Sequence, residues 1–486
     1  MAASSSATTS LLTPIGYQSG DCGYCKGDET SQRTPDSRAS YYVRSTRLTP
    51  EHYQELMDRG WRRSGSLLYL PDASRSCCPH YTIRLPAAQF TPSRDQRQTL
   101  YRWNKFVLGE DYIKQEKLKF PRTKVSALHP LFTSITPNNI PRQKNRQKKA
   151  AETFSLLPTL HASELSSLHK SLTPAREFTL TLEPSTFTEE KYLLYAHYQS
   201  QIHHDPPSEI SRSGFRRFLC DSPLVSSPGP PDGSSHALGS YHHLYRLDGR
   251  LIAMAVLDLL PRGVSAVYFI YHTDFEKFSL GKVSAMREAG LALEDGYENY
   301  YMGYYIHECK KMRYKADFAP QYVLNFDTFE WTKLDDGVKA LMEKRNFAGR
   351  SREKRRLRAR RSDAPEGTDG HDHGDDDNDD DEPDSYHTPL LATQSNLSLL
   401  SLGMPGVMSL SQVKEEVDLD AMRVKVGVGG GQIVRVDRLV AWEGDGGEDE
   451  REEDELLRKD SLKGVFAEFA AAVGPKMARE MVVNFS

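Results

Sequence analysis

Residues 266–322 read AVYFIYHTDFEKFSLGKVSAMREAGLALEDGYENYYMGYYIHECKKMRYKADFAPQY, and the pattern of this stretch decides the fold. Val267, Phe269 and Tyr271 alternate with smaller or polar neighbours, which predicts a buried strand over 266–272. Ser279 is placed as an N-cap, and Leu280, Val283, Met286, Ala289 and Leu293 follow at helical spacing. A second strand is expected over 300–307, with Gly303 at its middle where a side chain would obstruct a close approach. The result is a β-loop-α-loop-β unit whose helix N-terminus and tyrosine-lined strand end frame a substrate-sized cleft.

Around this unit the composition is uneven. The length of 486 residues allows roughly three domains, and 38% hydrophobic residues with a mean hydropathy of -0.61 implies that part of the chain is unpacked. From residue 363 onward there are 29 Asp and Glu against 11 Lys and Arg, a net of -18; residues 1–362 carry 38 against 52, a net of +14. A basic body suits a polyanion or an acidic ligand, and equally an ordinary solvated surface. No stretch approaches the ~20 apolar residues of a membrane span, and MAASSSATTSLLTP lacks a basic and apolar leader pattern. The six cysteines are too few for a disulfide framework, and four of them lie in two tight pairs. These features predict a soluble cytoplasmic protein, with the nucleus as a second compartment, and no membrane partner.

In chain order, the Ser/Thr-rich residues 1–14 are expected to be disordered, and residues 15–136 to form a cysteine-containing domain. There Cys22 and Cys25 make a C-x-x-C pair, and Cys77 and Cys78 sit in SCCPH. Two thiolates two residues apart can grip one tetrahedral ion, and a second pair from a later loop completes a four-sulfur shell for zinc or an iron-sulfur cluster. A thioredoxin-like redox pair and inert buried thiols are the alternatives. A helix is predicted from Thr49-Pro50 with Gly60 as its stop, strands over SLLYLP and YTIRL, and a helix over 93–108 carrying Arg94, Arg97, Arg102 and Lys105. Residues 137–175 are a linker that opens on the basic PNNIPRQKNRQKK. A second domain, 176–335, reads as strand FTLTLEP, a helix over 188–201, a short helix over 213–219, and a hairpin turning at Asp248-Gly249. Its apolar second strand, LIAMAVLDLL, is interrupted by Asp258. The order predicts an α+β domain with helices across a mixed sheet. Residues 336–395 hold eight bases within 350–361 and an acidic run over 369–384, and are expected to be a disordered insertion; His371 and His373 within the acids are weak metal candidates. Residues 396–486 predict a Gly-rich hairpin and an amphipathic helix, with Leu462, Val465, Phe466, Phe469, Val473, Met477 and Met481 on one face.

Standard catalytic signatures are absent: no G-x-S-x-G elbow, P-loop, H-E-x-x-H or dinucleotide fingerprint occurs. The βα junction Phe278-Ser279-Leu280-Gly281-Lys282 lies where GNAT-type acetyltransferases cradle a pyrophosphate, but lacks their Q/R-x-x-G-x-G/A loop, so coenzyme A is not expected as donor. GYQSGDCGYC (16–25), RGWRRSGSLLY (59–69), CCPHYTIR (77–84), RFLCDSPL (217–224), YHHLYRLDGRLIAMAVLDLLP (241–261), SLGKVSAMRE and YYMGYYIHECKKMRYKADFAP are long and ordered along 16–335. Through them the chain closely resembles the eukaryotic arginyl-tRNA–protein transferases, the arginylating enzymes of the N-degron pathway.

The resemblance implies a two-lobed α+β architecture with a GNAT-like transferase lobe and a Cys-rich lobe binding zinc or an iron-sulfur cluster. It also implies transfer of arginine from arginyl-tRNA to proteins beginning with Asp, Glu or oxidised Cys. The acceptor α-amine, with an ordinary pKa of about 7.7 to 8.0, is partly neutral at cellular pH and needs no covalent enzyme intermediate. Positioning alone supplies on the order of 7 to 11 kcal/mol in the best intramolecular models. On this reading Tyr301, Tyr304 and Tyr305 line the aminoacyl end, His242 holds the acceptor, and Asp258 holds the donor guanidinium or takes a proton. Each has a plain alternative as a core residue. Lys311, Arg313 and Lys315 meet the tRNA 3′ phosphates or the acidic residue, and Ser279, Gly281 and Lys282 form the junction that faces the donor. A coenzyme A-dependent N-acetyltransferase and a non-catalytic zinc-dependent RNA-binding protein are the competing classes.

Overall fold

The structure is a computed structural model that describes residues 9–26, 33–119, 154–228, 236–344, 347–348, 397–427, 431–442 and 455–485. The basic linker segment 137–149, the basic tract 350–361, the acidic run with His371 and His373, and Gly429-Gly430 lie outside these residues. The chain is mixed α+β and divides into two compact units: Met1–Arg84 with Pro223–Ser226 and Met302–Ser486, and Leu85–Ser222 with Ser227–Tyr301. Among the described residues no helix is long and apolar enough to cross a membrane.

The first unit is built on a mixed sheet. Its strand order is Gln432–Arg435, Arg423–Val426, Val482–Asn484, Leu11–Lys26, Arg33–Arg47, Leu67–Pro71 and Arg62–Ser64. Val482–Asn484 runs parallel to both of its neighbours, and the remaining pairs are antiparallel. Pairing starts at Leu11, inside the leader expected to be disordered. Ala39, Tyr41 and Val43 turn one face of the sheet into the core with Leu68 and Leu70. Helix Pro50–Met57, capped by the Thr49 hydroxyl, and helix Leu462–Val473, capped by Ser461, belong to this unit. The amphipathic C-terminal pattern is split: Gly474, at φ 87°, ends the first helix and Pro475 starts the next, Pro475–Glu480. Phe466, Phe469, Val473, Met477 and Met481 are buried, and the Trp61 indole donates to the Ala472 carbonyl at 3.2 Å. Strands Tyr304–Tyr305, Tyr322–Leu324 and Trp331–Lys333 complete the unit with residues 81–84 of strand Tyr81–Pro86.

The second unit contains the βαβ element. Strands Phe178–Pro184, Gly239–Leu247, Arg250–Leu260 and Gly263–Tyr271 form an antiparallel run. The hairpin turn has Asp248 and Gly249 at φ 51° and 80°, the primed geometry that matches strand twist. Helix Leu280–Glu294 then returns the chain so that Asn299–Tyr301 pairs parallel to Gly263–Tyr271. The expected strand over 300–307 is not continuous. It ends at Tyr301, Gly303 takes φ 74°, and Tyr304–Tyr305 is a separate strand in the first unit. Ser279 precedes the helix in the left-handed region at φ 53° and its side chain makes no capping bond, so the capping expectation is corrected. A Cβ on Gly263 would meet the Asn299 carbonyl at 2.5 Å and the Tyr301 ring at 2.8 Å, which requires glycine at that crossing. Helix Arg94–Lys119 extends well past the expected end at 108, across a break at Gly109.

Helix Leu280–Glu294 is tied down by ions: Arg287 donates to Glu164, and His161 bridges Glu164 and Glu294. The hydrogen bonds to these carboxylates raise the His161 pKa to about 9. A folded pKa above the ordinary ~6.5 contributes stability that is complete below that value and is lost as pH rises through about 9. The loss of stability on His161→Gln is therefore expected to be larger at pH 6 than at pH 10, measured by urea unfolding of both proteins. Equal losses at the two pH values would contradict the ion pair.

Candidate metal centre and its aromatic face

Cys22 lies near the end of strand Leu11–Lys26, and Cys77 and Cys78 in the turn after Leu67–Pro71. That turn is organised by Asp72, which is fully buried. Asp72 Oδ1 accepts from the Ser74 and Arg75 amides, and Oδ2 accepts from the Tyr17 hydroxyl and Arg75 Nη1 at 2.9 Å each. The Ser76 hydroxyl donates to the Asp72 carbonyl at 2.7 Å. Ser37 joins the two halves: its carbonyl accepts from the Cys77 amide at 2.9 Å and its hydroxyl from the Cys22 amide at 3.2 Å. The outcome is that the Sγ atoms of Cys22, Cys77 and Cys78 all lie within 4.8 Å of one another. The Tyr24 amide donates to Cys22 Sγ at 3.4 Å. Hydrogen bonds to its neighbours Cys22 and Cys77, with burial, push the Cys78 thiol strongly up; a soft cation would relieve that crowding of charge. The Cys25 side chain lies outside the described residues. Cys309 and Met312, which the sequence reading passed over, pack against the same group, together with Ile306. The spacing of Cys309 from the other cysteines gave no signal for this.

Beside the sulfurs is an aromatic and cationic face. The His80 ring meets Tyr24 edge-on at 5.3 Å and Tyr304 at 5.2 Å, and burial lowers the His80 pKa to about 4. The Tyr304 ring lies 6.2 Å from Tyr69, with the Arg62 guanidinium 5.3 Å above it. Tyr304 donates its hydroxyl to the Gly60 carbonyl at 2.9 Å, and Tyr305 is hydrogen-bonded to His307 Nδ1 at 2.7 Å. Burial raises both phenols, so both stay protonated. Lys315 Nζ donates to the carbonyls of Met302 and Tyr304 at 2.8 and 2.9 Å, fastening the Gly303 turn. Arg313 Nε donates to the His307 carbonyl at 3.0 Å, and Lys311 is exposed.

The other predicted site residues belong to the second unit. His242 is fully buried and bonds the Leu219 carbonyl through Nε2 at 2.9 Å. Asp258, equally buried, accepts from the Ser240 hydroxyl at 2.6 Å, which is bonded in turn to Ser222 at 2.7 Å. Asp258 and Tyr301 flank Ser265 from either side in one cross-strand row. Lys282 pairs with Asp95 at 2.7 Å, and the space over Gly281 is open. The structure thus gathers Cys22, Cys77, Cys78 and Tyr304 in one unit, and Asp258 and Tyr301 in the other.

Residues 190–325 match the family model described as "Arginine-tRNA-protein transferase, C terminus", and residues 20–98 match "Arginine-tRNA-protein transferase, N terminus". Arginyl-tRNA–protein transferase 2 of Arabidopsis thaliana is 28% identical over 474 residues, covering 70% of this chain and 77% of that protein. Arginyl-tRNA–protein transferase 1 of Drosophila melanogaster is 28% identical over 421 residues, covering 70% and 85%. An aspartate/glutamate leucyltransferase of Pseudomonas fluorescens is 30% identical over 273 residues, covering 55% and 77%. The chain is an aminoacyltransferase. It belongs to the arginine-tRNA–protein transferase family.

The Asp72 turn carries a direct expectation. Removing a buried carboxylate that satisfies this many donors costs on the order of 3 to 5 kcal/mol. Asp72→Ala should lower the urea midpoint accordingly and speed labelling of Cys77 and Cys78 by a thiol reagent. An unchanged midpoint and labelling rate would show that the turn holds without it.

Proposed function

We propose that this chain transfers arginine from arginyl-tRNA to the α-amine of proteins beginning with Asp, Glu or oxidised Cys, which marks them for ubiquitin-dependent degradation. The observation that carries the reading is that the N- and C-terminal family models match in order along one chain. The chemistry is aminolysis of an activated ester. The acceptor amine attacks the aminoacyl carbonyl, the ester bond breaks, and the terminal ribose hydroxyl of the tRNA leaves with the proton. Orientation is the protein's main contribution.

Within this reading the strand-helix-strand of residues 263–301 serves as a GNAT-like donor lobe, with Ser279, Gly281 and Lys282 at the helix start and Tyr301 and Asp258 in the adjacent sheet row. His242, tied to the Leu219 carbonyl, and Tyr305, tied to His307, serve best as positioning residues. Tyr304, whose hydroxyl is committed to Gly60, offers its ring as a wall. Cys22, Cys77 and Cys78 have the all-sulfur donors and spacing that suit zinc or an iron-sulfur cluster. Such a group would lock the Asp72 turn to the end of the first hairpin. Arginyl-tRNA in place of coenzyme A agrees with the missing pyrophosphate loop, and the setting proposed is cytoplasmic or nuclear.

A leucyl donor is the second reading, favoured by the 30% identity to the Pseudomonas leucyltransferase. Incubating the protein with arginyl- or leucyl-tRNA and an Asp-starting peptide, free or N-acetylated, separates the readings. Arginine transfer to the free amine alone is expected, and leucine transfer would establish the second. Consumption of acetyl-coenzyme A, or tRNA binding with no transfer, would overturn both. Exposed Lys311 is assigned to a tRNA phosphate. Lys311→Ala should weaken arginyl-tRNA binding and reduce its salt slope by about one, read by filter binding at several salt concentrations. An unchanged slope removes Lys311 from the tRNA footprint.

A further inference from the structure

The first unit holds a patch of buried polar atoms that the folded chain leaves without partners. Register sets Tyr42 opposite Tyr69, and Tyr69 opposite Arg62, so these three side chains share one sheet face. Arg38 and Ser40 precede Tyr42 on its strand by four and two residues and share that face, while Ala39, Tyr41 and Val43 point into the core. The Tyr69 ring contacts Tyr304, which lies opposite Thr82. Around these rings Arg38 Nε, Ser40 Oγ, Arg62 Nε, Arg62 Nη2 and Thr82 Oγ1 are buried and make no hydrogen bond. Ser40 and Thr82 are fully buried and Arg62 is 5% exposed.

The charge is also unanswered. Arg62 Nη1 donates to the carbonyls of Met57 and Trp61 at 3.3 and 2.7 Å, and Arg38 Nη2 to the Tyr42 hydroxyl at 3.0 Å. Among the described residues no carboxylate pairs with either guanidinium. A buried, unpaired guanidinium is costly and calls for an anion from elsewhere. Its geometry names the anion. Nε–H and one Nη2–H lie parallel on the same edge of a guanidinium, and this is the edge Arg62 leaves unused; it is the fork that a planar carboxylate accepts in bidentate fashion. The donor's own arginine side chain is repelled by two like charges.

Resting on the arginyl-transfer reading above, we propose that Arg62, supported by Arg38, Ser40 and Thr82, forms the pocket that receives the acidic side chain of the acceptor's first residue and sets the enzyme's specificity. Unused donors then match unused acceptors, and a neutral first residue leaves the guanidinium buried and unpaired.

The full chain is assayed with arginyl-tRNA and two peptides alike except for Asp or Asn at the first position. The wild-type protein is expected to prefer Asp. Arg62→Gln should raise KM for the Asp peptide at least ~10-fold, about 1.4 kcal/mol, narrow the Asp/Asn ratio of kcat/KM, and leave KM for arginyl-tRNA unchanged. Arg62→Lys should recover part of the preference. Thr82→Val deletes an unpaired hydroxyl at nearly constant shape, so its Tm should be equal or higher while KM for the Asp peptide rises. An unchanged Asp/Asn ratio in Arg62→Gln, or, should that variant not fold, in both Thr82→Val and Ser40→Ala, overturns the pocket. A wild-type protein that arginylates neither peptide overturns the proposed function itself.

Discussion

The first unit hangs on a strand of three residues. Val482–Asn484 sits between Leu11–Lys26 and Arg423–Val426, parallel to both, and the Val482 amide donates to the Ser10 carbonyl at 3.0 Å. Its neighbours do not pair with each other, so the sheet is continuous only through the last residues described. Closing a loop of this length is less prohibitive than its size suggests, because the entropic cost grows only as the logarithm of the length. The compensation is burial: Val482 and Val483 are within 1% of full burial, and they carry Met481 and the two helices before them into the core around Trp61. The strands that bear Cys22, Arg38 and Tyr69 therefore take their support from the far end of the chain.

That dependence explains what was legible in the sequence. Local periodicity found the strand before residue 272, the helix after Ser279, the Asp248-Gly249 hairpin and the capped helix at Thr49, because each is dictated by neighbours a few residues away. The sequence pattern did not find the end of the strand at Tyr301. Tyr300-Tyr301-Met302-Gly303-Tyr304-Tyr305 is uniformly β-favouring, and the break arises from Gly303 at positive φ with the Lys315 ammonium gripping the carbonyls on either side of it, a contact made from twelve residues downstream of Gly303. Ser279 failed as a cap for a similar reason. Its composition suits an N-cap, but the turn Thr273–Phe278 delivers it in the left-handed region, where the side chain makes no capping bond to the first helical amides.

The candidate site was legible by residue type more than by role. The cysteines were found because thiol pairs at this spacing have few other uses, and their gathering required Ser37 and Asp72, which no spacing rule singles out. The tyrosines drew the reading because they crowd one stretch. Yet the bonds of Tyr304 to Gly60 and Tyr305 to His307 turn hydroxyls that looked free to donate into structural fasteners. Lys315 and Arg313 read from sequence as ligands of the tRNA 3′ phosphates or of the acidic residue, and each has a nitrogen spent on main-chain carbonyls. A charged side chain in a sequence carries no mark of whether its donors are already taken, and that information exists only once the chain has folded.

The reverse inference follows for Arg62. In sequence it is one of three arginines in RGWRRSG, and a surface cation is the default reading for such a residue. Folding places it over the Tyr304 ring with two donors on one edge unmatched, next to hydroxyls in the same condition. Each unmatched buried group costs the folded state on the order of 1 to 3 kcal/mol. A protein selected for stability alone would replace Ser40 and Thr82 with apolar residues and pair or remove the guanidinium. On the proposed reading this patch is a binding pocket, in which the folded state gives up stability and the acceptor's own carboxylate completes the hydrogen bonding.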